Sequence, residues 1–137
     1  MTVQTSYGFG ATVALPYEVA IERTREALAG EGFGVLTEID VKATLKKKLD
    51  VDFRPYVILG ACNPPLAYKA LSAELEIGLL LPCNVVVHAG DRDGESVVSI
   101  MDPEAALSLT GRPEIAPLAA DVKARLQRVL EKVQAGG

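Results

Sequence analysis

Asn84-Val85-Val86-Val87-His88-Ala89, then Gly90-Asp91-Arg92-Asp93-Gly94, then Ser96-Val97-Val98-Ser99-Ile100-Met101 is the stretch on which the fold turns. Two runs rich in β-branched residues flank a polar Gly/Asp turn, which is the pattern of a β-hairpin. A tight turn can join only antiparallel neighbours, because a parallel pair needs a long crossover. The sheet is therefore expected to be antiparallel or mixed.

Working upstream, Tyr56 to Ala61 is a compact apolar run and reads as a strand, as does Phe33 to Ile39. Thr5 to Leu15 alternates, with Tyr7, Phe9, Ala11, Val13 and Leu15 on one face and small residues between them. Pro16 suits the first turn of a helix running to Gly30, where Gly30 and Gly32 end it. Asp40 is placed to cap a helix over Val41–Leu49, with Lys46, Lys47 and Lys48 at its C-terminal end. Asn63 caps and Pro64 opens a third helix that continues to Ala73.

Downstream, Asp102-Pro103 opens a further short helix, and Glu114 to Gln134 gives the clearest helical signal. Ile115, Leu118, Val122, Leu126, Val129 and Val133 recur at helical spacing and make one apolar stripe. The expectation is an α+β domain: a sheet of about five strands, mainly antiparallel, with helices on one face. One domain spans 1–135, and Gly136-Gly137 reads as a flexible tail.

The 137 residues suit one domain with its own core. Apolar residues make up 49% of the chain and aromatics only 5%, so the core must be built from Val, Leu, Ile and Ala. A net charge of -4 argues against a nucleic-acid partner, which calls for a basic surface, and against docking on anionic lipid. No run approaches the length of a membrane span, and no basic, apolar leader opens the chain. A cytoplasmic location is the resulting expectation, and with it two reduced thiols.

Chemistry centres on two dipeptides. The chain has two cysteines. Each is followed by an asparagine, as Cys62-Asn63 and Cys83-Asn84, and no other asparagine occurs. Cys62 precedes a predicted helix N-terminus, where unpaired N–H groups and the dipole favour a thiolate. Against that stands the ordinary role of free cysteine as a small buried packing residue. As metal ligands, Cys62, Cys83 and His88 make three, with Asp102 a fourth, but the close C-x-x-C pairs of structural zinc sites are missing. A two-thiolate site for a soft metal remains open on ligand type. Lys46 is the one cation singled out as a partner for a reactive Cys62. No phosphate loop, dinucleotide fingerprint or nucleophile elbow occurs, so no cofactor is named.

Four ordered segments carry a family resemblance: Asp40-Val41-Lys42-Ala43-Thr44-Leu45-Lys46, Gly60-Ala61-Cys62-Asn63-Pro64-Pro65-Leu66-Ala67, Leu79-Leu80-Leu81-Pro82-Cys83-Asn84-Val85, and Asp102-Pro103. Together they resemble the domain-of-unknown-function family 302 over nearly the whole chain. The resemblance implies a β-α-β(4)-α arrangement, a homodimer, and a common site lined by Cys62, Asn63, Pro64, Pro82, Cys83 and Asn84. It implies no reaction. Three functions stand as expectations. The first is a module binding a small ligand or soft metal near the two Cys-Asn turns. The second is a thiol redox protein or enzyme with Cys62 as nucleophile and Cys83 as resolving thiol. The third is a purely structural homodimer.

Overall fold

The computed structural model describes residues 2–136, so Met1 and Gly137 lie outside the described residues. Its elements in order are β1 (Thr2–Gln4), β2 (Gly8–Val13), α1 (Tyr17–Gly30), β3 (Gly34–Asp40), α2 (Val41–Leu49), β4 (Tyr56–Cys62), α3 (Pro64–Ala73), β5 (Cys83–Ala89), β6 (Ser96–Met101), α4 (Pro103–Leu107) and α5 (Ala116–Ala135). The strands form one six-stranded sheet in the order β1-β2-β6-β5-β4-β3, and every neighbouring pair is antiparallel.

The α+β class and the antiparallel sheet are as the sequence implied, but the strand count corrects from about five to six. The run read as one strand from Thr5 to Leu15 pairs only over Gly8–Val13, and the sixth strand lies ahead of it. Residues 5–7 make a turn in which the Thr5 N–H donates to the Gly8 carbonyl at 3.0 Å and Thr5 Oγ1 accepts from the Tyr7 N–H at 3.2 Å. That turn folds Thr2–Gln4 back as an edge strand on β2.

Alternation along the strands puts Val57, Leu59, Ala61, Val85, Val87, Val98 and Ile100 on one face, all essentially buried. α1 covers them with Ala20, Ala27 and Leu28, and α5 with Val122, Leu126, Val129 and Val133. Two buried hydroxyls in this layer are satisfied by main-chain carbonyls: Thr24 donates to Ala20 and Ser96 to Leu15, each at 2.7 Å. A smaller cluster of Ala70, Ile77, Leu107, Ile115 and Ala119 joins α3 to the end of α4 and the start of α5. Ile77 comes from a 3-10 turn over Leu75–Leu80 that the sequence reading did not assign.

The two side-chain caps expected at Asp40 and Asn63 are present, and Asp102 makes a third. Asp40 accepts from the Ala43 N–H at 2.9 Å, Asn63 from Leu66 at 3.4 Å, and Asp102 from Glu104 at 2.9 Å. The Gly136 carbonyl accepts from Arg23 Nη1 at 3.2 Å. Among the described residues no helix is long and apolar enough to cross a membrane.

Candidate functional site

Strand register brings the two Cys-Asn dipeptides together. In the β4–β5 ladder Ala61 lies opposite Cys83 and Gly60 opposite Asn84. Cys62 is one residue beyond Ala61, so its Cα lies about 6 Å from that of Cys83, given the usual spacing and rise of strands. Both are free thiols. They line one pocket of about 280 Å³ beyond the strand ends, between the principal core and the smaller cluster. Leu66, Ala67, Leu81, Leu107, Leu118 and Val122 supply much of the remaining wall, and no charged side chain contributes to it.

The thiols differ in setting. Cys83 is buried, with 6% of its surface exposed, while Cys62 is half-buried. Burial, and after it the neighbouring Cys62 thiol, push Cys83 up from 9.0 to about 11. Cys83 is thus held protonated by its apolar surroundings.

The helix that begins beside Cys62 does not present its N-terminus to the thiol. Pro64 and Pro65 have no N–H to offer. The Leu66 N–H donates to Asn63 Oδ1 at 3.4 Å, and the Ala67 N–H donates to the Asn63 carbonyl at 2.9 Å. The first turn of α3 is therefore satisfied from within, and the thiolate-stabilising N–H groups expected from the sequence are already spent.

Asn63 is fixed by the same arrangement. Its amide Nδ2 donates to the Glu31 carbonyl at 3.4 Å, and Arg125 Nη1 donates to that same carbonyl at 3.2 Å. Gly32, at φ 85°, brings the end of α1 against this amide. Asn63 thus joins α1, α3 and α5 while forming part of the pocket wall. The Glu31 side chain reinforces the joint through Arg128 at 2.9 Å and Lys132 at 3.3 Å. Hydrogen bonding from Arg128, then from Lys132, holds its carboxyl below the ordinary range against the opposing effect of desolvation.

Of the six residues grouped by the resemblance, Cys62, Asn63, Pro82 and Cys83 line the pocket. Pro64 and Asn84 do not. Pro64 is an exposed helix-starting residue. Asn84 is exposed and lines a separate groove on the other face of the sheet. Pro82 packs over Gly60, where an added Cβ would meet its Cγ at 2.8 Å and would also strike Thr37 Oγ1.

The expected third and fourth metal ligands are elsewhere. His88 lies five residues along β5 from Cys83, roughly 17 Å at strand rise and on the opposite face. It stacks on Tyr56 with ring centroids 5.2 Å apart. Asp102 caps α4 and pairs with Lys123 at 2.9 Å. Among the described residues no group of three or more His, Cys, Asp or Glu is arranged to hold a metal ion. Lys46 is also remote: α2 begins where β3 meets Val57, at the opposite end of the ladder from Cys62, and Lys46 pairs with Asp50 at 3.0 Å.

The sequence reading missed the pocket's far wall, from Leu107, Leu118 and Val122. The signal for Leu118 and Val122 was present in the apolar stripe of α5, but which neighbour that stripe faces depends on tertiary contact, and Leu107 of α4 carried no such signal.

The family model described as "Domain of unknown function DUF302" matches residues 9–133. A crystal structure described as the uncharacterized conserved protein DUF302 from Bacillus stearothermophilus is 32% identical and superposes with a TM-score of 0.86, covering 94% of this chain and 99% of that one. No curated protein matches the chain. With the family model spanning most of its length and a solved relative sharing its architecture, the chain belongs to the domain-of-unknown-function family DUF302.

Proposed function

We propose that the domain is a binding module for a small, uncharged, predominantly apolar molecule held in the pocket beside Cys62 and Cys83. The observation that carries this reading is the lining: about 280 Å³ walled by apolar side chains, two thiols and one amide, without a charge. The volume lies near the lower end for ligand sites, which are mostly apolar with a few polar groups. An ionised ligand would lose hydration there without gaining a counter-charge.

The soft-metal and thiol-redox readings draw on the same two cysteines, and both stand behind this one. Each requires Cys83 as a thiolate, whereas its surroundings favour the protonated form.

Titration with toluene, followed by backbone amide NMR, tests the proposal. Saturable shifts at Leu66, Ala67, Cys83 and Leu118 are expected, and Ala67→Phe should abolish them by filling the space. Shifts that do not saturate, or that persist in Ala67→Phe, refute it. A parallel titration with copper(I) under reducing conditions separates the metal reading: saturation at one equivalent, lost in both Cys62→Ser and Cys83→Ser, would put metal binding first.

A homodimer is a second proposal, and exposed leucines support it. Leu36, Leu75 and Leu79 are 67%, 79% and 84% exposed, and Leu36 stands in the pocket wall. Exposed apolar clusters commonly mark contact surfaces. Sedimentation of Leu75→Glu/Leu79→Glu beside the parent chain decides it: equal mass in both means that these leucines form no dimer contact.

A further inference from the structure

On the sheet face away from α1 and α5 a second cavity of about 660 Å³ runs across β5 and β6. Tyr56 and His88 stand at one end, Met101 and the α4 residues Ala105 and Ala106 at the other, with Val86 between them. Gly8 contributes bare backbone to the wall. Gly10, opposite Ser99, keeps the neighbouring strand low, since an added Cβ there would sit 2.7 Å from Ser99 Oγ.

Three polar groups that face this groove are unspent. His88 Nδ1 lies 2.9 Å from the Ala89 carbonyl. A carbonyl can only accept, so Nδ1 carries the proton, and in the neutral ring the lone pair is on Nε2. No described residue hydrogen-bonds to Nε2, to the Asn84 amide or to the Ser99 hydroxyl. The His88 ring is held in place by its stack on Tyr56, the planes only 5° apart. No Lys, Arg, Asp or Glu lines the cavity, so it offers nothing to neutralise an ionic ligand.

We infer that this groove is a second binding site, for a planar, uncharged aromatic molecule carrying one N–H or O–H donor, of the indole or phenol class. The ring lies over Val86, edge to edge with the imidazole and in its plane, where the Nε2 lone pair points. Its donor meets His88 Nε2, while Asn84 or Ser99 takes a further polar substituent where one is present. The site is independent of the pocket beside the cysteines, because the two lie on opposite faces of the sheet.

Indole and N-methylindole, which differ in the donor, test the assignment on the full chain. The protein has no tryptophan, so indole fluorescence reports binding against a tyrosine background, and its one histidine gives a single set of imidazole NMR signals. Indole is expected to shift the His88 Nε2 resonance saturably and to bind about tenfold more tightly than N-methylindole. His88→Phe, which keeps a ring on Tyr56 and removes the acceptor, should bind the two equally. Ala67→Phe, which fills the other pocket, should leave indole binding unchanged. Equal affinity of the parent chain for both probes, an unmoved His88 signal, or loss of binding in Ala67→Phe overturns the inference. So does indole binding that weakens as protein concentration rises, since a second copy of the chain would then occupy the groove.

Discussion

Alkaline pH should weaken the fold in part through one buried thiol. Cys83 is buried and its folded value is raised from 9.0 to about 11, so the folded chain keeps this proton where the unfolded chain releases it. The sign follows from linkage: a raised folded value contributes stability that is fully present below pH 9, and that is lost as pH rises through 11. A two-unit gap corresponds to about 2–3 kcal/mol, lost at roughly 1.4 kcal/mol per pH unit. The perturbation is Cys83→Ala, which removes the titrating group at the cost of a small cavity. Urea denaturation of both proteins between pH 7 and 10.5 is the assay, and the quantity of interest is the difference in slope. Cys62, the tyrosines and the lysines titrate in both chains and cancel to first order. The parent should lose the greater stability above pH 9, with the two curves converging. Reactivity with a disulfide reagent gives a second readout. At pH 8 about one Cys83 in a thousand is a thiolate, against roughly one in ten for an ordinary thiol, so labelling of Cys62→Ser should be about a hundredfold slower when folded than when unfolded. Parallel stability curves, or labelling of folded Cys62→Ser at the pace of a free thiol, would refute the reasoning.

Three other outcomes follow from individual contacts. Asn63→Ala removes the cap of α3 and the amide link to Glu31, and should cost about 1–2 kcal/mol in chemical denaturation; Asn63→Asp, which keeps the capping oxygen, should lose less. Gly60→Ala drives a methyl into Thr37 and Pro82 and should destabilise by roughly 1–3 kcal/mol, measured the same way, with partial recovery in Gly60→Ala/Thr37→Ala. Asp102 is raised by burial, but the Lys123 ammonium and the Ala105 and Glu104 N–H groups outweigh this and leave it below its ordinary 3.8. Its contribution is present above that value and lost as pH falls through the lower folded one, so thermal melts of Asp102→Asn should show a shallower acid limb than those of the parent.

Local signals carried the sequence reading far. Asp40 and Asn63 could be placed as caps because a short acceptor before a helical run has few other uses, and each accepts an N–H of its helix's first turn. The α5 stripe was equally legible, since six apolar residues at helical spacing demand a core to face. β1 was not legible: three residues long and mostly exposed, it is too short for its alternation to register, and only the Thr5–Gly8 turn folds it onto β2. The proximity of Cys62 and Cys83 could not be read either, because it depends on a β4–β5 register that no short-range rule supplies.

The faces of β5, by contrast, were open to reading. Residues 83 and 88 are separated by an odd number of positions, so a regular strand must send their side chains to opposite faces. Grouping Cys83 with His88 as metal ligands treated closeness in sequence as closeness in space. Cys83-Asn84 fails in the same way as a single site: consecutive strand residues diverge, the cysteine into the apolar pocket and the asparagine into the groove beyond the sheet. Cys62-Asn63 sits where strand becomes helix, and there both residues stay on one wall. The two dipeptides are therefore alike in sequence and unlike in chemistry. One contributes a thiol and a committed structural amide to a single pocket. The other spans the sheet, placing a protonated thiol on one side and an unspent amide on the other, and so sits between the two cavities proposed to bind ligands.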